Sequence, residues 1–226
     1  MKFRFTAIAT AAVLLVGVSP AQAHGQVGLV PGSKLYFDGG GSCSLGFFAT
    51  NGAGDRLAVT AGHCSDDVDQ EVTTADGDPV GRVVYRAGDD MERELYGVTV
   101  IELDSSAYIA DAYFRQSDDP VVGDVVEKFG ARTDATSGKV VSVRINAEYP
   151  SKSQMESTLV GLPGDSGSAW VRGGSRGPIL LGLNVGHTNR ADGGYGLAIG
   201  FPINSLVALV RKTSPLWGPG FTPTGA

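Results

Sequence analysis

The chain has 226 residues, with 18 Lys and Arg, 24 Asp and Glu, and three His, which gives a formal net charge of −6 at pH 7. An acidic chain lacks the basic surplus that attracts a phosphate backbone, so this balance argues against nucleic acid as a partner. Glycine is abundant at 33 residues and proline numbers 11. A chain of this length and turn content fits one all-β protein built as two small barrels.

The N-terminus predicts an export signal. Lys2 and Arg4 precede an apolar run over residues 7–18, and Ala21-Gln22-Ala23 follows as a small-x-small cleavage site. The alternative is a membrane anchor, but a run of about a dozen apolar residues is short for a bilayer span. We therefore expect residues 1–23 to be removed and residues 24–226 to be secreted, with no membrane association afterwards.

Short alternating apolar runs follow in chain order, punctuated by Gly, Asp and Asn turns, and they predict antiparallel barrels rather than βαβ units. The predicted strands cover residues 43–49, 57–60, 80–86, 98–103, 125–129, 139–145, 168–171, 179–185 and 195–201. A helix is predicted over residues 203–212, because Ile203, Leu206, Val207 and Val210 share one face. The barrels are expected at about 34–115 and 120–202.

Two motifs propose a nucleophilic serine and its base. Thr-Ala-Gly-His-Cys occupies residues 60–64, and Gly-Leu-Pro-Gly-Asp-Ser-Gly-Ser occupies residues 161–168. A serine hydroxyl attacks a carbonyl only when an imidazole can take its proton, so the chemistry needs His63 and Ser166 in one place. Gly-Asp-Ser-Gly alone is a common turn composition, and the order and spacing of the two motifs carry the prediction.

On these motifs the chain resembles the chymotrypsin-like serine proteases, nearest to their secreted bacterial branch, the streptogrisin and α-lytic protease group. The resemblance runs from about residue 43 to residue 201. It implies an all-β fold of two antiparallel six-stranded β-barrels with a C-terminal helix. It also implies that His63 is the general base, Ser166 the nucleophile, and the backbone N–H groups of Gly164 and Ser166 the oxyanion hole.

The two cysteines occupy the positions of a disulfide that ties the histidine loop to the barrel wall in the resembled family. Cys43 opens one predicted strand and Cys64 follows His63. An exported chain with an even cysteine count favours a bridge over two free buried thiols. No metal site is expected, because the three His at positions 24, 63 and 187 are scattered without ligand spacing. No cofactor is expected either.

The third catalytic position departs from the family pattern. The family has an Asp at the opening of the strand over residues 98–103, and we align Gly97 with that place. Glu94 and Asp90 are candidates for the acid, although Glu94 lies about 10 Å back along an extended strand. A supporting Ser of the family aligns with Val185. On this interpretation the site is a slow dyad of His63 and Ser166, and Gly97→Asp with Val185→Ser should raise activity.

The resemblance also assigns structural and substrate-binding roles. Asp165 is implied to form a buried ion pair beside the oxyanion loop, with Lys128 or Arg132 as the candidate partner. The base of the primary pocket is expected at Val160, with walls from Gly186, Gly193 and Tyr195. An uncharged base excludes a preference for Lys or Arg substrates. His187, near the mouth, is either a solvated loop residue or a ligand for an acidic or polar substrate group.

The sequence therefore predicts a secreted serine endopeptidase, acting on peptide or protein substrates as a monomer. Loss of the acid leaves two alternatives open. One is a non-catalytic relative that keeps the fold as an exported binding module. The other is an esterase that uses Ser166, since ester leaving groups need less protonation.

Overall fold

The computed structural model describes residues 26–224, so the expected signal peptide lies outside the described residues. Eight strands form the first large sheet, in the spatial order β17-β4-β5-β8-β7-β6-β2-β3, and all their pairings are antiparallel. A separate parallel pair, β1 with β9, lies beside it. Their bounds are β1 Val27–Leu29, β2 Lys34–Phe37, β3 Gly41–Ser44, β4 Phe47–Thr50, β5 Leu57–Ala61, β6 Glu71–Thr73, β7 Pro79–Ala87, β8 Val98–Leu103, β9 Ala107–Ile109 and β17 Thr222–Pro223.

The second large sheet closes on itself. Its order is β10-β15-β14-β11-β12-β13-β16, and β15 also pairs with β16, which completes a six-stranded barrel. The first sheet has no such closing pair between its end strands in the described chain and remains a half-barrel. The bounds are β10 Gln116–Ser117, β11 Val125–Gly130, β12 Asp134–Arg144, β13 Gln154–Ser157, β14 Ala169–Arg172, β15 Ile179–Asn189 and β16 Tyr195–Pro202.

The structure confirms the predicted fold class, and every predicted strand is present. The run predicted over residues 43–49 is divided into β3 and β4 at Gly46, where a Cβ would overlap the Gly167 carbonyl and the Leu183 side chain. Seven short strands were not predicted, because two to four residues are too few to show alternation: β1, β2, β6, β9, β10, β13 and β17.

The predicted C-terminal helix is also confirmed. Helix α1 spans Ile203–Thr213 and buries the expected apolar face. That face joins a large core cluster shared with the first sheet, while a smaller cluster around Trp170 fills the second barrel. None of the helices described between residues 26 and 224 is long and apolar enough to cross a membrane.

The end of β3 joins the first sheet to the segment that carries Ser166. The Ser44 N–H donates to the Ser166 carbonyl (2.8 Å), and the Ser44 hydroxyl donates to the Gly164 carbonyl (2.9 Å). Thr60 donates in turn to the Ser44 carbonyl (2.9 Å). Because these bonds cross between the sheets, they fix the serine segment against the strand that leads to His63.

Candidate active site

Three neighbouring strands bring the histidine and a carboxylate to one end of the first sheet. In the strand register Val98 at the start of β8 lies opposite both Ala61, at the end of β5, and Ala87, at the end of β7. His63 follows Ala61 in a short 3₁₀ turn, Gly62–Cys64. Asp89 follows Ala87 by two residues, so the register alone places it beside His63.

Ser166, His63 and Asp89 form one hydrogen-bonded line. The Ser166 Oγ lies 2.8 Å from His63 Nε2, and His63 Nδ1 lies 2.5 Å from Asp89 Oδ2. The Asp89 side chain is 2% exposed, whereas the His63 side chain is 39% exposed. With the Asp89 carboxylate accepting the Nδ1 proton, the lone pair of Nε2 faces the serine hydroxyl. The carboxylate beside His63 is therefore that of Asp89, and neither Glu94 nor Asp90, the two candidates from the sequence, occupies this place.

Glycine at position 97 lets the backbone that follows β7 pass close to the start of β8. A Cβ on Gly97 would overlap the Ala87 carbonyl oxygen and approach that of Gly88 within 2.7 Å. The Gly97 N–H instead donates to Asp89 Oδ1, which holds the second carboxylate oxygen. The proposal to restore an acid by Gly97→Asp is corrected accordingly, because the acid comes from the end of β7 and occupies the space beside Gly97.

Asp90 and Glu94, the two acids proposed from the sequence, make other contacts. Asp90 accepts a hydrogen bond from the Arg93 N–H (3.1 Å) and caps the 3₁₀ turn Met91–Arg93. Glu94 ends that turn and pairs with Arg144 at 2.8 Å, half exposed. Neither carboxylate contacts His63. One usable signal for Asp89 was present in the sequence, because the segments predicted at 80–86 and 98–103 follow one another and pair as a hairpin.

Val185 is buried and lines the cleft beside Ser166, and its apolar side chain offers Asp89 no hydrogen bond. Its neighbour Asn184 was overlooked in the sequence. The Asn184 carbonyl accepts the Gly167 N–H (2.7 Å), and its side-chain oxygen lies 3.4 Å from Trp170 Nε1, a weak bond. Asn184 thus joins β15 to the segment just after Ser166.

The expected buried ion pair is present and its cation is Lys128. Lys128 Nζ lies 3.1 Å from Asp165 Oδ2, with both side chains fully buried. Burial lowers the pKa of Lys128, although the Asp165 carboxylate opposes that effect. Burial alone would raise the pKa of Asp165, but hydrogen bonds from the Leu162 N–H and from Thr133, with the charge of Lys128, outweigh burial and lower it. The guanidinium of Arg132, the other candidate, donates to the Pro163 carbonyl instead.

The segment over residues 161–168 carries two backbone N–H groups without a partner in the described chain, those of Gly164 and Ser166. Gly164 has φ +103° and Gly167 has φ +86°, values that few L-residues adopt. A Cβ on Gly167 would also overlap the Thr60 hydroxyl. Gly164 and Gly167 therefore form a turn that residues with a side chain would strain. This turn leaves both N–H groups available to a bound oxygen.

The disulfide between Cys43 and Cys64 is confirmed. It links β3 to the turn that holds His63. Among residues 26–224, the group of potential metal ligands found within reach of one another is Cys43, His63 and Cys64. Since its two sulfurs are bonded to each other, they are not thiolates and do not form a metal site.

A cleft of about 370 Å³ opens beside the Ser166–His63 pair. Its lining includes two of the expected residues, Gly186 and His187, and no carboxylate. Its lining residues are His63, Met91, Gly161, Leu162, Pro163, Ser166, Asn184, Val185, Gly186, His187 and Asn189.

Three expected pocket residues lie outside this lining. Val160 is 52% exposed and uses its carbonyl to accept from Thr136, so Gly161 takes its place in the wall. Gly193 belongs to an exposed turn with open space around it. Tyr195 contacts the cleft indirectly, because its ring packs edge-on against His187 with centroids 4.2 Å apart. Val160 thus lies one residue outside the wall, and the long β15–β16 hairpin carries Gly193 away from the cleft.

A serine hydroxyl, an imidazole and a buried carboxylate in one line, between two packed β-sheets, are the arrangement of a serine hydrolase. Glutamyl endopeptidase 2 of Streptomyces griseus is 30% identical over 194 residues, covering 81% of this chain and 98% of that protein. The structure of a glutamic acid specific serine protease, described as using a novel histidine triad in substrate binding, is 25% identical, with TM-score 0.62 over 80% of this chain and 97% of that one.

Protease A of Thermobifida fusca shares the fold at 20% identity, with TM-score 0.64 over 88% of this chain and all of that one. No family model matches the sequence. The chain belongs to the chymotrypsin-like serine proteases, in the group of the streptogrisins and glutamyl endopeptidase of Streptomyces. It is accordingly a serine endopeptidase, and its substrates are peptides or proteins.

Proposed function

We propose that the protein is a secreted endopeptidase in which Ser166 is the nucleophile, His63 the general base and Asp89 the residue that orients His63. The unbroken line of hydrogen bonds from Ser166 Oγ through the imidazole to Asp89 Oδ2 carries this proposal. Because Asp89 supplies the missing carboxylate, we expect an ordinary triad rather than a slow dyad. The missing acid was the reason for considering a non-catalytic binding module or an esterase, and that reason no longer applies when Asp89 is the acid.

In the proposed reaction, Ser166 Oγ attacks the substrate carbonyl carbon while its proton passes to His63 Nε2. Asp89 stabilises the imidazolium that forms and keeps Nε2 directed at the serine. The negative oxygen of the tetrahedral intermediate accepts hydrogen bonds from the Gly164 and Ser166 N–H groups. His63 then protonates the leaving amine, and water, deprotonated by His63, hydrolyses the acyl-enzyme and restores Ser166.

The cleft supports a preference for a side chain that accepts hydrogen bonds, either a carboxylate or a carboxamide, before the cleaved bond. No carboxylate lines it, so a Lys or Arg side chain would find no charge partner. His187 and Asn184 supply polar atoms among apolar walls. His187 Nδ1 lies 3.2 Å from the Thr188 carbonyl, which accepts its proton, and this leaves Nε2 as the ring nitrogen available to a substrate group. The glutamyl specificity named for two relatives agrees with this preference.

The test is hydrolysis of matched peptides with Glu, Gln, Phe or Lys before the cleaved bond, using the wild type and Ser166→Ala. We expect amide cleavage by the wild type, with Glu and Gln above Phe and Lys lowest. His187→Gln should reduce the Glu rate more than the Gln rate. Peptide binding without cleavage would favour the binding module, and cleavage of esters alone would favour the esterase.

The proposed export is tested on protein recovered from the culture medium. We expect its first residue to be His24, because Ala21-Gln22-Ala23 forms the cleavage site. Size-exclusion chromatography should show a monomer. An N-terminus that retains residues 1–23 would contradict the export proposal.

A further inference from the structure

The peptide bond between Pro163 and Gly164 decides whether the Gly164 N–H reaches the oxyanion. In a trans peptide the carbonyl and the N–H of one bond point in opposite directions. Whatever holds the Pro163 carbonyl therefore also directs the Gly164 N–H. Gly164 has φ +103° and no side chain, so its own conformational preferences restrain this bond weakly.

Arg132 holds this peptide bond from one side. Its Nη1 donates to the Pro163 carbonyl (2.9 Å), and no other donor in the described chain reaches that oxygen. Its aliphatic stem runs along Gly164, where a Cβ would lie 3.4 Å from the Cβ of Arg132 and 3.7 Å from its Cδ. The Arg132 N–H donates to Asp165 Oδ1 (3.1 Å), so its backbone is anchored on the same loop. Arg132 therefore contacts the Pro163–Gly164 peptide with both its guanidinium group and the aliphatic part of its side chain.

The other oxyanion donor is held differently. The carbonyl paired with the Ser166 N–H is that of Asp165, and it accepts from the Ser168 N–H (3.0 Å) and the Ser168 hydroxyl (2.7 Å). Ser168 is fully buried. One donor is therefore fixed by buried bonds within the turn, and the other is fixed by the head group of an exposed arginine.

We propose that Arg132 is a positioning residue for catalysis, which keeps the Gly164 N–H directed into the oxyanion hole by holding the Pro163 carbonyl. The inference rests on the proposed function. Arg132 does not itself line the cleft, so loss of the guanidinium should act mainly on the transition state and leave ground-state binding nearly unchanged.

The variants are Arg132→Met, which keeps the aliphatic part of the side chain and removes the guanidinium, and Arg132→Lys, which keeps a hydrogen-bond donor and a positive charge. Because removing an oxyanion donor outright costs about 10²–10³ in kcat, a donor that is only released should cost about tenfold. We expect this fall in kcat for Arg132→Met, KM within about twofold, and partial rescue in Arg132→Lys. Arg82→Met is the matched control, since Arg82 is a half-exposed arginine of the first sheet paired with Glu71.

Two inhibitors separate positioning from folding. A peptide aldehyde adds Ser166 Oγ to its carbonyl carbon and places the resulting oxygen in the hole, whereas a peptide with a C-terminal amide only occupies the cleft. Arg132→Met should weaken the aldehyde about tenfold and leave the amide unchanged, with the thermal midpoint within about 2 °C of the wild type.

Equal weakening of both inhibitors, or an unchanged aldehyde constant, would overturn the role of Arg132. If the wild type itself neither cleaves peptides nor binds the aldehyde, the proposed function fails instead. A fully active wild type with an equally active Arg132→Met variant removes only this inference.

Discussion

Replacement of Asp89 by Asn is the most informative single change, because the shape of the side chain is kept and only its charge and hydrogen-bonding pattern alter. The Gly97 N–H would still find an oxygen at position 89. The group facing His63 Nδ1 would become an amide N–H, which favours the proton on Nε2 and so removes the base from Ser166. Asp89 is 2% exposed and lies 2.5 Å from Nδ1, so water does not readily replace it.

The equivalent Asp→Asn replacement in a trypsin-like triad costs about 10⁴ in kcat, and the same contact here predicts a loss of about 10³–10⁴. At about 1.4 kcal/mol for each tenfold change, this is about 4–5.5 kcal/mol of transition-state stabilisation. The assay is hydrolysis of a peptide amide at saturating substrate, where kcat is read directly. KM should change little, since Asp89 does not line the cleft.

Asp90→Asn and Glu94→Gln are the matched controls, one beside Asp89 and one five residues on, and each should remain within about threefold of the wild type because neither contacts His63. If Asp89→Asn retains activity while Glu94→Gln abolishes it, then the structure has assigned the wrong carboxylate. Equal losses in all three variants would indicate damage to the whole loop over residues 88–95.

Three further outcomes are expected. The Cys43–Cys64 bridge closes a loop with a sequence separation of 21 residues, so its reduction should lower the free energy of unfolding by about 3 kcal/mol and also lower activity. Denaturant titration with and without reductant measures the change, and an unchanged midpoint would contradict it. Gly97→Ala should destabilise by on the order of 3 kcal/mol, because its Cβ overlaps the Ala87 carbonyl, whereas Gly173→Ala, with open space around it, should not; equal thermal midpoints would refute the crowding argument. The folded pKa of Asp165 lies below the usual value near 3.9, so its contribution to the free energy of unfolding is complete above that value and is lost as the pH falls from there through the folded pKa. Asp165→Asn should therefore flatten the loss of stability at acid pH, and an unchanged loss would exclude Asp165 as its cause.

The parts of the molecule that follow local rules were predictable from the sequence. Alternating apolar residues marked every long strand, and a 3.6-residue period marked α1. The disulfide was implied by the family resemblance and by the even cysteine count of an exported chain, and the serine–histidine pair was proposed from the order and spacing of two motifs. The sequence left two candidates, Lys128 and Arg132, for the cation beside Asp165. Lys128 is fully buried and forms the ion pair, whereas the exposed Arg132 donates to the Pro163 carbonyl.

The acid was missed because its position depends on a contact between strands rather than on order along the chain. Alignment to a motif asks which residue opens β8, and the answer there is Gly97. The residue that reaches His63 comes from the end of β7, which the hairpin register places beside the start of β8. The lining of the cleft shows a related effect. A shift of one residue in β-structure or a tight turn exchanges a wall position for an exposed one, as at Val160 and Gly161.

The central claim is that Ser166, His63 and Asp89 act as one unit. The most direct measurement is the rate of covalent labelling by a fluorophosphonate, with the modified residue located by mass spectrometry, in the wild type, His63→Ala, Asp89→Asn and Asp90→Asn. We expect a single adduct on Ser166, formed rapidly in the wild type and in Asp90→Asn and at least a hundredfold more slowly in His63→Ala and Asp89→Asn. Absence of the adduct in folded wild-type protein, or a rate unaffected by Asp89→Asn, would contradict it.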